Sequence, residues 1–159
     1  MPERAAAGTL HVVLAFDFGL RRIGLASGDT LTRSAAPRAA VRNLVAGPDW
    51  PRIEAEVRAL RPGVLIVGAP YNADGSEGSL TAAARAFADS LALRFSLPVH
   101  LVDERYSSLE AAQELKARRA SGARRRRLAR GDIDSAAAAV ILARWLAGEG
   151  TAREERGTP

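Results

Sequence analysis

Residues Leu10 to Asp17 read LHVVLAFD, a near-continuous apolar run that stops abruptly on a carboxylate. A run of that length without polar alternation suits a buried central strand. Phe18-Gly19 and Arg21-Arg22 then supply a short polar turn, and Ile23–Ser27 resumes as a second strand. The two are expected to form an antiparallel hairpin.

Reading outward, a third strand is expected around Ala36–Arg42. Pro48 and Pro51 bracket the start of a helix in which Trp50, Ile53, Val57 and Leu60 recur at helical spacing. Arg61-Pro62-Gly63 stops it, and Val64–Val67 (VLIV) forms a fourth strand that runs into the loop Gly68–Gly75. Ser76 and Glu77 lead into a helix carrying Leu80, Ala84, Phe87, Leu91 and Phe95. Pro98–Val102 is a fifth strand, ending in Asp103-Glu104-Arg105. Ser107 or Ser108 caps the next helix, and Ser107 with Glu110 has capping-box spacing. A last helix is expected from about Asp134 to Ala147. Three meandering strands followed by alternating helix and strand argue for one α/β domain with a mixed sheet. That domain spans residues 10–147, between loose ends at 1–9 and 148–159 that lack periodic apolar patterning.

Composition narrows the function classes. The chain has 159 residues, 47% of them apolar and 26% charged, as in folded water-soluble domains. With no cysteine and only His11 and His100, disulfide scaffolds, thiolate zinc sites, cysteine nucleophiles and His-rich metal sites drop out. No apolar run reaches the roughly 20 residues of a membrane helix, and no signal-peptide core is evident. The expectation is a cytosolic protein without membrane contact. The net charge is +5, and Arg118, Arg119, Arg124, Arg125, Arg126, Arg127 and Arg130 concentrate within one short stretch. Such a stretch is either a solvated loop or a grip for phosphates, and nucleic acid is the natural polyanion.

Three acidic residues stand at special places. Asp17 ends the first strand, Glu104 follows the fifth, and Asp134 opens the last helix. Singly they have plain readings as turn residues or, for Asp134, a helix N-cap. If strands one and four are neighbours with five beyond four, Asp17 and Glu104 converge at one sheet edge, where ligands of such sheets collect. A helix start placed there adds Asp134. Three converging carboxylates need a compensating cation, and oxygen donors suit Mg²⁺ or Mn²⁺. Two such ions would activate water and stabilise the leaving oxygen in phosphodiester hydrolysis.

Four segments then occur in order: Asp17-Phe18-Gly19-Leu20-Arg21-Arg22-Ile23-Gly24-Leu25-Ala26, Val67–Gly75 (VGAPYNADG), Asp103–Ser108 (DERYSS) and Asp134–Ala138 (DSAAA). Together they resemble the YqgF (RuvX-like) family of Holliday-junction resolvases and pre-16S ribosomal RNA nucleases, from about Leu10 to Ala147. The resemblance implies a ribonuclease H-like fold: a five-stranded mixed sheet, its first three strands antiparallel, with helices on both faces. It implies a divalent-metal-dependent nuclease, with maturation of the pre-16S rRNA 5′ end preferred over resolution of branched DNA. It matches Asp17, Glu104 and Asp134 to the family's catalytic, metal-holding carboxylates, with two Mg²⁺ or Mn²⁺ ions bridged by Asp17. A monomer suffices for RNA, whereas a symmetric junction calls for a homodimer.

Other positions carry two readings. Gly19 either keeps side chains away from Asp17 or is a plain hairpin glycine. Arg21 and Arg105 either meet substrate phosphates or pair with acids, and Arg124–Arg127 extend the same surface. Asn72 and Asp74 either touch substrate or make ordinary turns. Asp103 is set aside because adjacent strand residues face opposite ways. Asp132 stands where the family carries a basic residue, as an outer ligand or a cap. An actin-like ATP-binding fold needs two such domains, which 159 residues do not supply. A non-catalytic nucleic-acid binder has no electrostatic reason to keep three carboxylates beside a polyanion.

Overall fold

The apolar run forms strand β1 (Val12–Phe18), six of whose seven residues are buried. The computed structural model describes residues 11–70, 74–103, 130–148 and 152–156. After β1 come β2 (Arg22–Asp29), β3 (Ser34–Leu44), a two-residue β4 (Gly47–Pro48) and helix α1 (Trp50–Leu60). Asp49 caps α1 by accepting from the Arg52 N–H at 3.3 Å. Then follow β5 (Val64–Ala69), α2 (Ser79–Phe95), β6 (Val99–Asp103), α3 (Arg130–Leu146) and β7 (Ala152–Arg156).

The described residues form one sheet in the order β4-β3-β2-β1-β5-β6-β7. The first three strands meander antiparallel, while β5 and β6 run parallel to β1. This is the mixed α/β architecture expected, with two more strands than the five foreseen. Neither addition has an apolar signature. β4 is a brief pairing of Asn43 with Pro48 and Leu44 with Gly47. β7 (AREER) lies inside the 148–159 segment read as a loose end, and it is held by main-chain pairing to the open edge of β6. The loose N-terminal end, 1–9, lies outside the described residues, as do the helix expected after Ser107 and its capping box.

The two faces of the sheet are packed differently. Leu14, Phe16 and Phe18 of β1 join the cluster beneath α1 and α2. There Phe87 gathers Phe16, Phe18 and Trp50, with ring centroids 5.4, 5.1 and 5.7 Å away. The alternate residues, Val13 and Ala15, join Ala26, Ile66 and Val102 beneath α3. That face is built from smaller side chains, and α3 meets it with Ala138, Ile141 and Leu142. Gly24 of β2, which has no side chain, lets the helix backbone settle close to the strand.

Two boundaries differ from expectation. α3 begins at Arg130, so Asp134 is not a helix cap but lies one turn inside the helix. The ladder between β2 and β3 slips between Ile23 and Leu25, where one residue of β2, Gly24, faces two of β3, Ala39 and Ala40.

Candidate active site

Asp17 sits near the carboxyl end of β1, paired with Gly24 of β2 on one side and Gly68 of β5 on the other. Neither neighbour has a side chain to crowd it. Strand alternation puts Asp17 on the α3 face, with Val13 and Ala15 and opposite Phe16 and Phe18. It is only 9% exposed. Enclosure of that degree is costly for a carboxylate that lacks a cation or donors.

α3 brings the second acid. A Cβ built on Gly24 would lie 2.0 Å from the Asp134 carbonyl oxygen and 2.8 Å from the Ser135 nitrogen. The helix backbone therefore rests on β2 at the residue paired with Asp17, which sets Asp17 and Asp134 on one face. Arg22, two residues earlier on β2, donates from Nε to Asp134 Oδ2 at 2.9 Å. Where the β2–β3 ladder slips, the Leu25 N–H donates to Ser135 Oγ at 3.4 Å, and Ser135 is 3% exposed. Arg22, Gly24 and Leu25 thus grip Asp134-Ser135 through a side chain, a bare backbone and an amide.

The carboxyl ends of the parallel strands lie level, with Asp17 opposite Gly68, Gly68 opposite Val102 and Ala69 opposite Asp103. β6 lies beyond β5, the order on which convergence depends. Glu104 is the next residue in sequence and lies outside the described residues. So do Asn72, Arg105 and Arg124–Arg127. Val99 and Leu101 belong to the α1–α2 cluster and Val102 to the α3 cluster, so alternation puts Asp103 on the face away from Asp17.

Arg21 is exposed in the β1–β2 turn, where its carbonyl accepts from the Asn43 N–H at 2.8 Å. Asn43 Nδ2 also donates to the Gly19 carbonyl at 2.7 Å, strapping that turn to β3. A Cβ on Gly19 would lie 2.5 Å from the Arg22 carbonyl, so tightness of the turn itself demands glycine there. Asp74 makes an ordinary turn, its Oδ1 accepting from the Ser76 N–H at 2.9 Å and the Ser76 hydroxyl at 2.6 Å. The side chain of Asp132 is outside the description. Sequence reasoning missed Arg22 and Asn43. The signal for Arg22 was its spacing of two from Gly24, which places both on one strand face.

Among the described residues, no three His, Asp or Glu gather into a metal cluster. What they do place on one sheet face is two carboxylates, Asp17 and Asp134, with Gly24 pairing with the first and lying under the main chain of the second. That donor chemistry fits Mg²⁺ or Mn²⁺ and not a soft metal. No helix among these residues is long and apolar enough to cross a membrane.

A family model described as RuvX, Holliday junction resolvase, matches residues 11–148. A Xanthomonas axonopodis pv. citri protein named "Putative pre-16S rRNA nuclease" is 44% identical over 147 residues, covering 92% of this chain and 94% of its own length. A Coxiella burnetii protein of the same name is 43% identical over 135 residues, 85% of this chain and 92% of that protein. Among solved structures, Thermus thermophilus RuvC in complex with a Holliday junction substrate superposes with a TM-score of 0.52 at 18% identity. The match covers 89% of this chain and 98% of RuvC, a likeness of fold.

Proposed function

The chain belongs to the RuvX family, and on that premise we propose that it is a divalent-metal-dependent nuclease that matures the 5′ end of pre-16S ribosomal RNA. The observation that carries the chemistry is the placement of Asp17 and Asp134 on one sheet face at the carboxyl end of β1. The choice of RNA rests on the names of the relatives in Xanthomonas and Coxiella.

In this reading Asp17, Glu104 and Asp134 hold two Mg²⁺ or Mn²⁺ ions, and residues 10–147 form the domain that carries the site. When bound, such ions supply an activated water and stabilise the departing oxygen. The chain's own residues do the rest. Asp17 presents its carboxylate from a rigid central strand, and Asp134 is steadied by Arg22. Arg21, Asn72, Arg105 and Arg124–Arg127 contact substrate phosphates, Arg21 from an exposed turn beside Asp17.

The deciding experiment is cleavage of two labelled substrates, a precursor 16S RNA end and a four-way DNA junction, with Mg²⁺, Mn²⁺ or EDTA. Metal-dependent cutting of the RNA is expected. Preference for the junction would favour the resolvase reading, for which the RuvC likeness in fold is the support, and binding without cutting would favour a non-catalytic role.

Arg22 gives a separate check. Its ion pair with Asp134 leaves both side chains about a third exposed, 32% and 30%, so it contributes at most about 1 kcal/mol. Its larger effect is to offset part of the repulsion between converging carboxylates. Arg22→Gln should therefore lower Tm slightly in EDTA and enlarge the Tm gain on adding Mg²⁺. Equal Mg²⁺ gains in the two proteins would contradict that compensating role.

A further inference from the structure

We propose that Gly24 is a positioning residue whose missing side chain sets the height of Asp134 over Asp17, and so the spacing of the metal-holding carboxylates. The inference rests on the metal-nuclease reading above.

Gly24 does two things at once. In the sheet it is the direct partner of Asp17. Above the sheet its Cα faces the Asp134 main chain so closely that an added Cβ would lie 2.0 Å from the carbonyl oxygen and 2.3 Å from the carbonyl carbon. Both are backbone atoms, so no rotamer change relieves the overlap. The helix itself must move, by about 1 Å or more, before a methyl group fits. A displacement of about 1 Å in a group that takes part in catalysis is enough to cost about 100-fold in rate. The neighbouring contacts steer that movement to the site. Arg22 is bonded to the Asp134 carboxylate and Leu25 to the Ser135 hydroxyl, so the seat is built around this one turn of α3.

The same strand provides its own control. Gly28 also underlies α3, and a Cβ there would lie 2.5 Å from the Ser34 carbonyl oxygen and 2.8 Å from Leu142 Cδ2. Gly28→Ala therefore disturbs the same helix–sheet packing, but at the far end of β2 from Asp17. A general loosening of α3 and a specific displacement of Asp134 thus give different patterns.

The test is titration of the full-length protein with Mn²⁺, followed by electron paramagnetic resonance, on wild type, Gly24→Ala and Gly28→Ala. Cleavage kinetics are run beside it. Gly24→Ala should weaken Mn²⁺ binding by about 10- to 100-fold and lower kcat by about 100-fold, with KM for the substrate unchanged. Gly28→Ala should lower Tm yet bind Mn²⁺ as wild type does. Wild-type Mn²⁺ affinity in Gly24→Ala overturns the proposal, and so does an equal loss in both variants. If Gly24→Ala does not fold, Ser135→Ala decides. It removes the acceptor for Leu25 at the same seat without inserting bulk. A several-fold loss of Mn²⁺ affinity upholds the assignment, and full affinity overturns it. Wild-type protein that neither binds Mn²⁺ nor cuts nucleic acid would bring down the nuclease reading itself, an outcome read before any variant is compared.

Discussion

Asp17→Asn is expected to abolish cleavage while leaving the protein folded. The side chains match in shape, and the strand partners Gly24 and Gly68 carry no side chain to clash with the amide. What is lost is a negative charge at the more enclosed of the two described acids, Asp17 and Asp134. Losing an outer-shell partner of a metal ligand typically costs about 10–100-fold in affinity or activity. On the proposed metal-nuclease reading, loss of a carboxylate that would itself hold metal should exceed the upper end of that range. In EDTA the variant should still unfold in one cooperative transition, because the amide keeps the shape of the acid. The Tm gain on adding Mg²⁺ should shrink sharply. Turnover at the wild-type rate would sink the assignment of Asp17, and loss of the folded transition would show that the side chain serves structure instead.

The second large effect is expected from Arg124–Arg127→Ala, which removes four of the 22 arginines. If each guanidinium meets one phosphate, substrate binding should weaken strongly at low salt. The slope of log K against log salt should flatten by about 0.9 per contact on duplex DNA, or about 0.7 on a single strand. kcat at saturating substrate should change little, since none of these residues holds a metal. An unchanged slope would remove the segment from the binding surface. Reduced kcat with unchanged binding would move it into the active site.

Much of this was legible before any coordinates. β1 and β5 announce themselves because buried central strands need apolar residues on both faces, as LHVVLAF and VLIV supply. Asp17 stood out because it breaks such a run. The antiparallel meander followed from two short connections, whereas the seating of the fourth strand beside the first was only a condition, met in the sheet order. What stayed hidden depends on tertiary contact. β7 is one alanine followed by four charged residues, and only the unpaired edge of β6 makes it a strand. Asp134 looked like a cap because the alanine run begins after it, whereas the helix starts at Arg130. Arg22 was read as a turn residue, though it is the first residue of β2 and already alternates onto the α3 face. Gly24 gave no local sign at all: its φ is not positive, and only the arrival of α3 makes a methyl group intolerable.

The unequal faces of the sheet also tell an engineer where the molecule can be improved. Beneath α1 and α2, thick aromatic packing around Phe87 leaves room to exchange one large side chain for another of similar volume at modest cost. Beneath α3 the clearance at Gly24 and Gly28 is below a single methyl, and at Gly24 the atoms in the way are the helix backbone itself, so enlargement there is transmitted straight to α3. A programme to raise thermostability should therefore confine its library to the aromatic layer and to surface positions of α1 and α2. The alanine-and-glycine layer is best held constant, since a gain in heat resistance won there would come at the expense of turnover.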